Sequence, residues 1–296
     1  MANKFANKSF FTRTASGIVL VLLLIASLVW GGRQDIFGGR ILFCVNLIVS
    51  LVAVYELYKA LKIHNTILGI TGYIAVVVYY GLIYASQYNV SILGKEIHGT
   101  NYMMIFVVIF LITLLAEYVF TYPKYKTENI SNALMCTIYA GVMLSYLYIT
   151  RMEDNGIYTV WLIFLASWGC DTCAYLAGVA FGKHKMAPVL SPKKSIEGAV
   201  GGIIGAAALG AIYGAVFADK IKDIPNTPVV FAIICAVAGF VSMIGDLCAS
   251  AIKRNNDIKD YGNIIPGHGG IMDRFDSVIY IAPIIWILIH VLKYVF

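Results

Sequence analysis

Residues 228–254 read PVVFAIICAVAGFVSMIGDLCASAIKR. From Pro228 to Gly245 this stretch carries no charge, and it closes on the cations Lys253 and Arg254. A helix rises 1.5 Å per residue, so about 20 apolar residues match the hydrocarbon thickness of a bilayer. The apolar positions do not alternate with period two, which argues against a strand of a membrane barrel. The stretch therefore reads as a membrane-spanning helix with a single carboxylate, Asp246, inside it.

The rest of the chain has the same character. Its 296 residues are 60% hydrophobic and 13% charged, with a mean hydropathy of +0.80. Water-soluble domains carry roughly 25% charged residues, so lipid solvates most of this chain. Apolar runs centre on residues 14–30, 39–57, 66–86, 102–121, 131–150, 157–181, 197–217, 228–251 and 277–295. The expected fold is an all-α integral membrane protein of about nine spans. The expected division is an N-terminal set of helices over 1–150 and a catalytic membrane region over 151–296. Lys4, Lys8 and Arg13 precede the first run, but no small-residue cleavage pattern follows it, so it reads as an uncleaved span.

A net charge of +6 raises the possibility of nucleic acid. Membrane proteins reach the same balance by retaining Lys and Arg on the cytoplasmic side, so nucleic acid is not expected as a partner. Of the 22 Lys and Arg, only Arg33, Arg40, Lys95, Arg151, Lys220, Lys222 and Lys293 fall on the outer side of a nine-span arrangement with a cytoplasmic N-terminus. That orientation puts the polar loops 182–196 and 252–276 together on the cytoplasmic face of a cell membrane. The six cysteines lie in apolar runs rather than polar loops, unlike a disulfide framework. Cys170 and Cys173 form a lone CxxC, read here as neighbours one helical turn apart.

An ionisable residue inside a span is costly and marks a functional candidate. Ser250 and Arg254 follow Asp246 at i+4 and i+8, with Lys253 alongside, which makes a polar stripe leading to the cytoplasm. Taken alone, Asp246 also fits an internal ion pair. The loop beyond it, NNDIKDYGNIIPGHGGIMDRFDS over 255–277, combines Lys259, His268 and Arg274 with Asp260, Asp273 and Asp276. Gly267, Gly269 and Gly270 allow close approach of the backbone and present N–H donors to an anion. This mixture suits a metal–polyphosphate: carboxylates hold Mg²⁺, while cations and amides hold phosphate oxygens. Asp273 and Asp276, at i and i+3, fall where the last helix begins, so both can face one pocket.

A second cluster, FGKHKMAPVLSPKKSIEG over 181–198, places Lys193, Lys194 and Ser195 at a helix start, a natural anion site; the positive-inside bias alone also explains the lysines. Ser191–Pro192 reads as a turn. Asp171, within SWGCDTCAYLAG, is either a further substrate or metal contact or a structural carboxylate. Glu56 and Glu117 read as packing or snorkelling residues. His64, His98, His184 and His290 have no partners at ligand spacing.

Together, Ser250, Lys253, Arg254, Lys259, Asp260, Pro266, His268, Gly269, Gly270, Asp273, Arg274 and Asp276 resemble the signature of the phosphatidate cytidylyltransferase (CDP-diacylglycerol synthase) family. The stretch SPKKSIEG at 191–198 and Gly245–Asp246 are similar to that family as well. The first 150 residues resemble it only as a set of spans. The resemblance implies a membrane-embedded homodimer acting on CTP and phosphatidic acid. It implies a pocket open to the cytoplasm and to lipid, with two metal ions between the carboxylates at Asp246 and Asp273. Mg²⁺ and a second ion such as K⁺ are the expected cofactors. A kinase that uses CTP to phosphorylate a membrane lipid alcohol is the alternative enzyme. A transporter with ion-binding carboxylates is the other rival, but its charge should not concentrate on one face.

Overall fold

A computed structural model describes residues 17–19, 21–32, 36–88, 91–92, 95–96, 100–265, 267 and 269–293. Among them, eight helices are long and apolar enough to cross a membrane. They are α1 (Ile36–Ala60), α2 (Ile67–Gln87), α3 (Thr100–Phe120), α4 (Thr127–Met152), α5 (Gly156–Phe181), α6 (Ile196–Phe217), α7 (Thr227–Asn255) and α8 (Met272–Leu292). The first expected span is present as a shorter apolar helix, Gly17–Trp30. The last starts at Met272, several residues before its apolar run, because Asp273, Arg274 and Asp276 belong to its opening turns.

Lipid leaves no water for unpaired backbone groups, so spanning segments must be helical and polar side chains must find partners inside. Tyr58 Oη lies 2.5 Å from Thr137 Oγ1 and donates to Ala133 O at 3.0 Å, which ties α1 to α4. Ser50 Oγ meets Tyr80 Oη at 2.5 Å between α1 and α2. The outward positions are apolar, among them Phe37, Ile48, Ile74, Ile112, Phe120, Ile204 and Val216. That is the surface a bilayer solvates.

The C-terminal half packs closely because α6 has a side made of small residues. Gly198, Gly202, Ala206, Gly210 and Gly214 recur every four residues and are all buried. A Cβ on Gly202 would come within 2.8 Å of the Ala174 Cβ on α5, and one on Gly214 within 2.8 Å of the Pro228 Cα on α7. Such contacts let helix axes approach and are the usual adhesive between spans. A π-helical turn, Leu165–Gly169, lies within α5 just before Asp171, and another, Thr137–Val142, lies within α4. The α4 turn carries the Thr137 that bonds Tyr58.

Outside the spans, the described residues form two small antiparallel strand pairs, which the apolar pattern does not predict. β1 (Ser91–Ile92) pairs with β2 (Lys95–Glu96), and β3 (Lys185–Ala187) pairs with β4 (Ser191–Ser195). The turn expected at Ser191–Pro192 is the start of strand β4. Among the described residues, His184 joins a hydrogen bond rather than a metal cluster: Glu197 accepts from its Nδ1 at 2.6 Å and from the backbone N–H of Lys183 at 3.1 Å. This closes the base of the β3–β4 hairpin onto α6. Consecutive spans alternate in direction, so the 182–195 and 256–271 connections meet at one end of the bundle, next to the end of α1.

Candidate active site

Several elements meet at that end. The β3–β4 hairpin runs into α6 at Ser195, whose Oγ accepts from Gly198 N at 3.2 Å as an N-cap. The cap fixes the adjacent lysines, and Lys194 Nζ forms an ion pair with Asp246 Oδ2 on α7. Asp171 on α5 lies close enough to both Lys194 and Asp246 to feel their charges. Asp171, Lys193, Lys194, Ser195 and Asp246 line a cavity of roughly 390 Å³, together with the apolar Tyr175, Val179 and Met186. The lining of this cavity is thus part charged and part apolar.

The second cavity, roughly 380 Å³, shares Asp171 and Asp246 and adds Asp273, Arg274, Asp276 and Ser277 from α8. The carboxylates at 273 and 276 thus do face one pocket. Gly17 and Val21 of the N-terminal helix complete the wall. Asp273, whose side chain is only 3% exposed, accepts from Lys253 Nζ at 3.0 Å, Tyr261 N at 2.8 Å and Gly270 N at 3.0 Å. Gly269 has φ +85°, and a Cβ there would press to 2.9 Å from Asp273 Oδ2, so only glycine fits without strain. Asp276 is 7% exposed and accepts from Ser277 N at 2.8 Å. Beneath the loop, Tyr261 is buried; its hydroxyl is pushed well above its usual range by loss of water and donates to Ala249 O at 2.8 Å.

Other expected residues lie further out. Ser250 is half-buried on α7 and lines neither cavity, while Arg254 is exposed in the last turn of α7 and Lys259 is exposed in the connection after it. Lys253 turns instead toward Asp273 and lies 5.3 Å from the centre of the Tyr261 ring. Asp260 lines a third cavity, roughly 560 Å³, with Lys59, Lys62 and Asn263. His268 and Pro266 lie outside the described residues.

Glu56, read as a packing or snorkelling residue, packs, and sequence reasoning missed only what it packs against. It does not snorkel: it is 1% exposed and accepts from Ile271 N at 3.2 Å and Met272 N at 2.8 Å at the start of α8. The rule that flagged Asp246, a carboxylate within an apolar run, applies equally to it.

No three His, Cys, Asp or Glu among the described residues cluster closely enough to cage a metal by themselves. The donor chemistry nonetheless fits Mg²⁺. Asp171, Asp246, Asp273 and Asp276 offer hard carboxylate oxygens around one cavity. Mg²⁺ is ordinarily held by one or two carboxylates plus substrate phosphates rather than by an all-protein cage.

A membrane-spanning bundle with carboxylates and lysines around a half-apolar cavity is the architecture of an enzyme that joins a polyphosphate to a lipid. The model of the cytidylyltransferase family matches residues 11–292, and the chain belongs to that family. It is therefore a nucleotidyltransferase of the membrane. Among curated proteins, the chain is 31% identical over 254 residues to a phosphatidate cytidylyltransferase of Bacillus subtilis, covering 85% of this chain and 90% of that one. It is 30% identical over 278 residues to one of Staphylococcus haemolyticus, covering 94% and 98%.

Proposed function

We propose that the chain transfers CMP from CTP to phosphatidic acid, giving CDP-diacylglycerol and pyrophosphate at the cytoplasmic face of the cell membrane. The observation that carries this reading is the pair of adjoining cavities sharing Asp171 and Asp246, one of them continuing into an apolar wall. A phosphate bearing two acyl chains needs such a junction of charge and grease.

A phosphate oxygen of phosphatidic acid attacks the α-phosphorus of CTP. The new P–O bond forms as the α–β anhydride bond breaks, and the electron pair leaves on pyrophosphate. The nucleophile is already an anion, so neither a covalent intermediate nor a strong base is needed. The barrier lies in bringing anions together, and positioned positive charge lowers it. Lys193, Lys194 and Arg274 neutralise phosphates around the carboxylates, and Arg254 and Lys259 draw CTP toward the mouth. Ser195 offers a hydroxyl, and Gly269 and Gly270 offer backbone approach. Asp246 and Asp273 would hold Mg²⁺, which supplies charge neutralisation between the triphosphate and the attacking phosphate. A CTP phosphate would compete with Asp246 for Lys194, and Asp246 would then be one of the residues to hold the metal. Lys253 holds Asp273 in place through its 3.0 Å contact. A homodimer in the bilayer is part of the same proposal.

The test is incubation of the purified protein with labelled CTP, phosphatidic acid vesicles and Mg²⁺. CDP-diacylglycerol and pyrophosphate in equal amounts are expected. Release of CDP with phosphorylation of a lipid alcohol would replace this reading with the kinase.

A further inference from the structure

Glu56 belongs to the N-terminal set of helices, yet it touches the start of the helix that carries Asp273. The first N–H groups of α8 have no partner within the helix, and a carboxylate is the best acceptor for the positive end of its dipole. Glu56 supplies one oxygen to each of two such groups, Ile271 N and Met272 N. Gly262 and Gly270 also pack against it. A Cβ on Gly262 would lie 2.8 Å from Glu56 Cδ, and one on Gly270 would lie 2.6 Å from the same atom. Between those points the chain turns through Gly267 and Gly269, at φ +77° and +85°. Gly270 N in turn donates to Asp273 Oδ2, so the backbone that Glu56 holds is the backbone that aims Asp273.

We propose that Glu56 is a positioning residue for the transfer reaction: it holds the backbone at Gly262, Gly270, Ile271 and Met272 so that Asp273 is presented at a fixed place in the carboxylate cavity. This rests on the cytidylyltransferase reading given above. Glutamine is the informative replacement. It keeps the volume, but its amide can accept only one of the two N–H groups and turns a donor toward the other. Aspartate keeps the charge but withdraws it by one methylene.

The experiment uses the full chain in vesicles containing phosphatidic acid. For Glu56→Gln, kcat is expected to fall about tenfold or more while KM for CTP stays within about threefold, because orientation rather than ground-state binding is lost. The unfolding temperature in detergent should move by no more than about 4 °C. Amide hydrogen exchange at Ile271 and Met272 should quicken. Gly270→Ala should also slow turnover, but in a Glu56→Ala background the added methyl enters vacated space and should cost little more. An unchanged kcat in Glu56→Gln would overturn the proposal. So would unaltered exchange at 271–272, independent losses at 56 and 270, or a loss of activity matched by a loss of folded protein. Hydrogen exchange also separates the two readings. An inactive wild-type chain would refute the transferase, while faster exchange in Glu56→Gln would still locate the anchor.

Discussion

Lys194 and Asp246 pair across two elements, and that pair carries most of the reading at the residue scale. Asp246→Asn keeps the shape and removes the charge. It should lower CDP-diacylglycerol formation by on the order of 100-fold or more, and Asp273→Asn should do likewise, as measured in membranes with protein levels matched. Near-normal turnover in either folded variant would remove that residue from the metal assignment. Lys194→Met should act mainly through the phosphates, raising KM for CTP by roughly tenfold, and more strongly at low salt than at high. The candidates were legible because a carboxylate in a span, or paired lysines at a helix start, is conspicuous in one dimension. The partner of each was not. Lys253 falls on the Asp246 stripe in sequence but bonds Asp273, because the loop folds back over the end of α7.

At the scale of elements, the small side of α6 packs against both α5 and α7, which carry Asp171 and Asp246 and which also touch each other where Cys170 Sγ lies 3.6 Å from Gly239 O. Gly214→Leu would drive a side chain into Pro228 and Thr227. Overpacking of this kind costs about 1–3 kcal/mol, so a lower unfolding temperature in detergent is expected, with activity falling as the helices part. A normal unfolding temperature would mean that α6 and α7 lie further apart than described. The spans were readable from apolar runs to within a few residues. Their glycine spacing was also visible, but the neighbour that each glycine meets depends on which helices adjoin. The hairpin β3–β4 was not anticipated, because a short strand outside the membrane leaves no apolar signature.

At the scale of the molecule, the proposed orientation puts Lys124 on the cytoplasmic side and Lys220 outside. In intact cells a membrane-impermeant maleimide should label Lys220→Cys directly and Lys124→Cys only after permeabilisation. The reverse pattern would invert the protein and remove CTP from its site. Mass and charge distribution, the all-helical membrane class and the gathering of two basic loops at one end were all present in the order of residues, because lipid imposes a length and composition on every span. The tertiary structure alone decided that α1, whose Glu56 looked like an interfacial residue, grips the start of α8. It also decided that Gly17 and Val21 line the carboxylate cavity. The physical reason is that burial and hydrogen bonding depend on which helices adjoin. In a bundle, contacts between residues more than two hundred positions apart follow from packing that no local pattern of apolar and charged residues records.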